Sequence, residues 1–152
     1  MSAERLPLDL RDPRQAGAYR VMRADLPALR ALAEESGIAV HEIDLCAVDD
    51  KADLMDRIHE ALAFPAEWGR NWDALEDGLR DLSWLGADAP RILVWRGMER
   101  LHSHCPALEA TLTEMLEDAS DHWAGHGFAL WSLLCLEALP PDCLGDRATA
   151  PD

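Results

Sequence analysis

The stretch R-I-L-V-W-R, residues 91–96, decides how this chain folds. Its middle, Ile92 to Trp95, is apolar without interruption. A strand with one wet face alternates apolar and polar residues, whereas a strand apolar on both faces belongs in a sheet covered on both sides, as parallel sheets are. Pro90 and Gly97 bound the run, as expected of a strand with turns at each end. A second run of the same kind, F-A-L-W-S-L-L-C-L, occupies residues 128–136. Between them, residues of about 105–123 read as a helix that Gly125 and Gly127 break.

Working towards the N-terminus, the same alternation recurs. A helix of about 71–82 precedes the strand, and a loop at 65–70 precedes the helix. Leu54, Ile58 and Leu62, at four-residue spacing, mark a helix over 51–63 that ends before Pro65. I-A-V-H-E-I-D-L at 38–45 is short and β-rich and reads as a strand. D-L-P-A-L-R-A-L-A-E-E-S-G at 25–37 reads as a helix, with Asp25 as N-cap, Pro27 in the first turn and Gly37 as the stop. A-Y-R-V-M at 18–22 reads as a short strand, after a polar, flexible leader over 1–16. The order predicts an α/β fold: a small parallel sheet of three to four strands, covered by helices and joined by right-handed crossovers. No internal repeat is apparent, and no glycine-rich phosphate loop follows a strand. Three segments are expected: an N-terminal extension over 1–37, a main domain over 38–139 and a polar tail over 140–152, opened by Pro140 and Pro141.

The chain of 152 residues can bury enough surface to fold without staples. Its 29 acids against 14 bases, of which Lys51 is the one lysine, give a formal charge of −15. That balance argues against direct nucleic-acid binding, which requires clustered lysine and arginine, and favours either a cationic partner or plain solubility. No run approaches the roughly 18 apolar residues of a membrane span, and Met1–Leu10 holds no signal-peptide core. Cys46, Cys105, Cys135 and Cys143 are scattered, so reduced thiols in a cytoplasmic protein are expected, with Cys46 and Cys135 packed as small hydrophobes.

F-P-A-E-W-G-R-N-W-D-A-L-E-D-G-L-R-D-L, residues 64–82, carries the candidate site. At about 100° per residue, Trp72, Leu75, Leu79 and Leu82 form a core stripe on the 71–82 helix, and Asp73, Asp77 and Asp81 fall opposite, flanked by Glu76 and Arg80. Asn71 is the expected N-cap, and the helix dipole favours Asp73 in the first turn. Like charges four apart repel by a few tenths of a kcal/mol per pair, and Gly78 costs about 1 kcal/mol relative to alanine. A solvated helix face accounts for one such aspartate. A row of three, behind Glu67, Trp68 and Gly69, predicts a docking patch for a cationic partner, since aromatics anchor interfaces. Gly78 would let something approach Asp77 closely.

Pro65, Trp68, Gly69, Asn71, Trp72, Asp73, Ala74, Leu75 and Asp77, with Val94, Trp95 and Arg96 in the following strand, resemble the barstar family of intracellular inhibitors of the ribonuclease barnase. The resemblance covers about residues 38–137. It implies an inhibitor rather than an enzyme, needing no cofactor, that plugs the basic active site of a ribonuclease or related toxin inside the producing cell. By that likeness Asp77 is central, Asp73 its neighbour, and Asn71, Trp68 and Gly69 supply contacts from the loop. Glu67 stands where the family has a tyrosine and Glu76 where it has a tryptophan. An acid on the last helix falls near Ser120 or Asp121, and residues 1–37 have no counterpart, so they could cover a sheet edge, self-associate or enlarge the interface.

Other constellations carry less. His122 and His126 stand four apart as metal ligands would, but the glycines beside them break the helix and no third ligand is evident. His102 and His104 read as surface loop residues, and Cys105 beside His104 as structural, since adjacent side chains rarely point together. Asp73 and Asp77 as a catalytic carboxylate pair would need a cleft that one exposed helix face does not offer. Trp95, Trp123 and Trp131 read as core. The rival from another class is a non-inhibitory acidic adaptor for an arginine-rich protein.

Overall fold

The computed structural model describes residues 9–136. Residues 1–8 and the expected tail, with Pro140, Pro141 and Cys143, lie outside the described residues. Four strands form one sheet in the order β1-β4-β3-β2: β1 (Ala18–Met22), β2 (Ala39–Asp44), β3 (Arg91–Arg96) and β4 (Leu130–Leu136). Every neighbouring pair is parallel. The two apolar runs take the two central places, since only there are both faces covered, and β4 is buried along its whole length.

The register sorts the core into two layers. Ile43, Trp95 and Leu134 pair in a row and face one side. That side carries α2 (Lys51–Ala61), α3 (Trp72–Leu79), α4 (Met98–His104) and α5 (Pro106–Gly125), packed around Leu54, Ile58, Leu75, Leu79, Leu116 and Trp123. Ser132 is buried on this side and accepts the indole N–H of Trp95 at 3.2 Å. On the other side Ile92, Val94, Trp131, Leu133 and Cys135 meet α1 (Leu26–Ser36) through Leu26, Leu29, Leu32 and Ala33. The described part of the extension, residues 9–37, therefore covers a sheet edge: β1 pairs with β4, and α1 closes the second face.

Differences from the expected elements have local causes. The flexible leader does not hold for residues 9–16: Leu10 is buried and its carbonyl accepts the indole N–H of Trp131 at 2.8 Å, while the Arg11 guanidinium bonds the Ser36 carbonyl at 3.1 Å. Asp25 stands at the N-cap position of α1 as expected, at the end of a 3-10 turn leading into the helix, but its side chain makes no capping bond. Gly37 does stop α1, in a left-handed conformation (φ 70°) that only glycine adopts at no cost, and its N–H bonds the Ala33 and Glu34 carbonyls. α2 ends at Ala61, two residues early, because Ala63 takes positive φ and turns Phe64 back to bond the His59 carbonyl through its N–H at 2.9 Å. The helix of 105–123 is preceded by a separate helix of about two turns, α4, and starts on Pro106. Cys135 is buried as expected, but Cys46 is exposed, because it lies beyond the end of β2 in a turn where its N–H bonds the Asp44 carboxylate.

Candidate functional site

The segment 65–79 forms a loop and helix on the outer side of the helical layer. Asn71 caps α3, its side-chain oxygen accepting the Ala74 N–H at 2.8 Å. Leu75 and Leu79 are buried, with half-buried Trp72 packed beside them; Leu82, the fourth residue expected in the stripe, is buried too but lies beyond the end of the helix. The α5 indole of Trp123 donates to the Leu79 carbonyl at 2.8 Å and fastens the end of α3.

Asp73 and Asp77 are both exposed, one turn apart on one face of α3. Among the described residues neither makes an ion pair or a side-chain hydrogen bond. The nearby cations are engaged elsewhere: Arg80 pairs with Glu76 at 2.9 Å and Arg70 with Asp56 at 2.8 Å. The face thus keeps two uncompensated carboxylates, and Glu76 is a partly neutralised flank.

Asp81 is not the third member of the row. α3 ends at Leu79, three residues short of Leu82, as the Asp81 and Leu82 N–H groups both bond the Gly78 carbonyl and Leu82 takes positive φ. The half-buried Asp81 carboxylate accepts the Ser83 N–H at 3.1 Å and closes that turn.

The loop is held from beneath by an aromatic cluster. Trp68 is half-buried, 5.9 Å edge-on from Phe64 and 5.4 Å from Trp84, and the Trp84 indole donates to the Leu62 carbonyl at 2.9 Å. Trp68 is therefore both a packing residue and a partly exposed one. Gly78 does admit a close approach, but by the chain's own Phe64: a Cβ there would lie 2.3 Å from the Phe64 ring. Gly69 and Glu67 are exposed on the rim, and the Asn71 amide nitrogen lies 2.9 Å from where a Gly69 Cβ would stand.

On the last helix Ser120 is buried and donates to the Leu130 carbonyl at 2.6 Å, so it is out of reach of any partner. His122 lies beside Arg80 at the end of α3. Asp118, one turn before His122, falls on that same side of α5, whereas the exposed Asp121 is about 100° away round the helix. The sequence gives no sign of this, since the position depends on which flank of α5 meets α3. Sequence reasoning also passed over His59, buried beneath the loop, with Nε2 3.0 Å from the Gly69 carbonyl oxygen. Among the described residues no three of His, Cys, Asp or Glu gather as a metal site, and His126 Nδ1 lies 2.9 Å from the His122 carbonyl oxygen.

No curated protein matches the sequence. The family model described as Barstar (barnase inhibitor) matches residues 38–135, from the strand β2 to the end of β4 and through the whole loop and acidic helix. With the parallel sheet, the capped α3 and the exposed Asp73–Asp77 pair already in place, that match shows that the chain belongs to the barstar family.

Proposed function

We propose that the chain inhibits a basic ribonuclease or related toxin by seating α3 and the 65–70 loop in its active-site cleft. The observation that carries this reading is the pair Asp73 and Asp77: exposed, one turn apart, and without an ion-pair or side-chain hydrogen-bond partner among the described residues. Two carboxylates held rigidly by a capped helix suit a cleft whose arginines bind RNA phosphates, since arginine–carboxylate bonds are charge-assisted and bidentate. Trp68 offers an apolar anchor beside them, and Glu67, Gly69, the Asn71 amide and Glu76 form the rim. Acting as a plug, the chain needs neither a catalytic group nor a cofactor. The reduced thiols expected of a cytoplasmic protein fit neutralisation inside the producing cell.

The test is inhibition of RNA hydrolysis by barnase, and by any small basic nuclease encoded beside this gene, with binding measured by calorimetry. Asp77→Ala is expected to weaken the complex by about 2 kcal/mol or more, roughly 30-fold, with Asp73→Ala next. A loss below about 1 kcal/mol for Asp77→Ala would place the interface elsewhere. Association should slow steeply as salt rises past about 0.1 M, where charges are screened within about 10 Å. An acidic adaptor would instead bind arginine-rich peptides and leave RNA hydrolysis untouched.

A further inference from the structure

His59 sits in the last turn of α2 with 5% of its surface exposed. Its Nε2 is 3.0 Å from the carbonyl oxygen of Gly69, and its ring lies 4.7 Å from that of Phe64. One turn earlier on α2, Asp56 meets Arg70 at 2.8 Å. Two consecutive loop residues, 69 and 70, are thus tied to α2 immediately before the Asn71 cap. Among the described residues the further ties are the Trp68 N–H to the Pro65 carbonyl at 3.0 Å and the aromatic cluster. Of the two α2 ties the histidine is the sheltered one: Asp56 and Arg70 are each more than half exposed, where solvent leaves an ion pair little net strength.

We infer that His59 is a positioning residue, which through its Nε2–H bond to Gly69 fixes the 65–70 loop, and with it Trp68 and the start of α3, in the conformation that meets a partner. The inference rests on the reading of that surface as the docking face. Its physical basis is preorganisation. Each loop residue left mobile must be ordered on binding, at about 1–2 kcal/mol of backbone entropy, so a loop fixed beforehand binds more tightly with no added contact. The geometry also fixes the proton. Burial, the larger influence, keeps the imidazole below its ordinary pKa; Arg70 acts in the same sense, and the Gly69 carbonyl and Asp56 oppose it. Glu60, beside these groups, lines the same hollow. A neutral imidazole carries one N–H, and with a carbonyl facing Nε2 that proton belongs on Nε2.

Three readouts decide it. In a long-range proton–nitrogen spectrum at pH 7.5, His59 is expected as the Nε2–H tautomer; an Nδ1–H tautomer would overturn the assignment, and this reading needs no variant to fold. In hydrogen exchange, His59→Leu is expected to speed the 66–70 amides about tenfold while the α3 amides 75–79 hold, and His59→Gln, whose side-chain N–H reaches a similar place, to restore protection. Equal effects of the two substitutions, or none, would count against a positioning bond. In binding to barnase, His59→Leu should lose about tenfold and His59→Gln recover most of it, the change residing in dissociation. Failure of the unmodified chain to bind would tell against the inhibitor reading, while the tautomer and exchange results would still settle the role of His59.

Discussion

Gly78 shows how one missing side chain shapes the site. A helix interior prefers alanine to glycine by about 1 kcal/mol, so glycine on α3 needs a reason. The reason is the Phe64 ring, whose Cε2 and Cζ lie 2.3 and 2.7 Å from where a Cβ would stand. Gly78→Ala must push a ring that is itself wedged between His59 and Trp84, 4.7 and 4.8 Å away. Overpacking of this kind costs about 1–3 kcal/mol, more than the propensity gain. We therefore expect Gly78→Ala to lower the midpoint of urea unfolding and to raise the exposure of Trp68 in fluorescence quenching; unchanged or higher stability would show that Phe64 relocates freely. The sequence showed that something comes close at Gly78. It could not show that the visitor is Phe64, because that contact depends on the reversal at Ala63, a positive-φ residue with no glycine to announce it.

At the level of elements, what was legible is what periodicity carries. The four strands and the helices α1, α2, α3 and α5 stand where apolar spacing put them, with ends displaced by a few residues. α4 escaped because seven residues are too few for a 3.6-residue pattern, and Met98 and Leu101 are its buried positions. The end of α3 escaped for another reason. Asp81 continues the four-residue spacing of Asp73 and Asp77, but the helix closes on the Gly78 carbonyl first. This sets apart residues that look alike in sequence. Asp81→Asn keeps an oxygen for the Ser83 N–H and removes the charge, so we expect it to change affinity for the ribonuclease by less than about 0.5 kcal/mol, against about 2 or more for the same change at Asp77. An equal loss at both positions would mean that the docking face runs past the end of the helix and that net charge matters more than placement.

For the whole molecule, the parallel sheet followed from two apolar runs, and the acidic face from one spacing. The use of the N-terminal extension did not, because a strand of composition A-Y-R-V-M shows no preference between pairing and exposure. Its place beside β4 is fixed by long-range partners such as Tyr19 opposite Leu133 and Val21 opposite Cys135. A further property belongs to the molecule as a whole. His41, His59 and His122 are all held below the ordinary imidazole value of 6.5, each chiefly by burial. Arg91 adds to this at His41, as do His126 and Arg80 at His122. The Nε2 of His41 is buried with no hydrogen-bond partner among the described residues, so a proton there would meet no acceptor from them. When the folded pKa lies below the unfolded one, the unfolded chain takes up protons that the fold refuses. Stability is then full above about pH 6.5 and declines as pH falls through the lower folded values. The net charge of −15 acts in the opposite sense, since added protons also relieve repulsion. We expect the urea midpoint to fall steadily from pH 7.5 to pH 5, and His41→Gln with His122→Gln to flatten the slope. A midpoint that rises on acidification would show that repulsion among the 29 acids outweighs the one buried and two half-buried imidazoles.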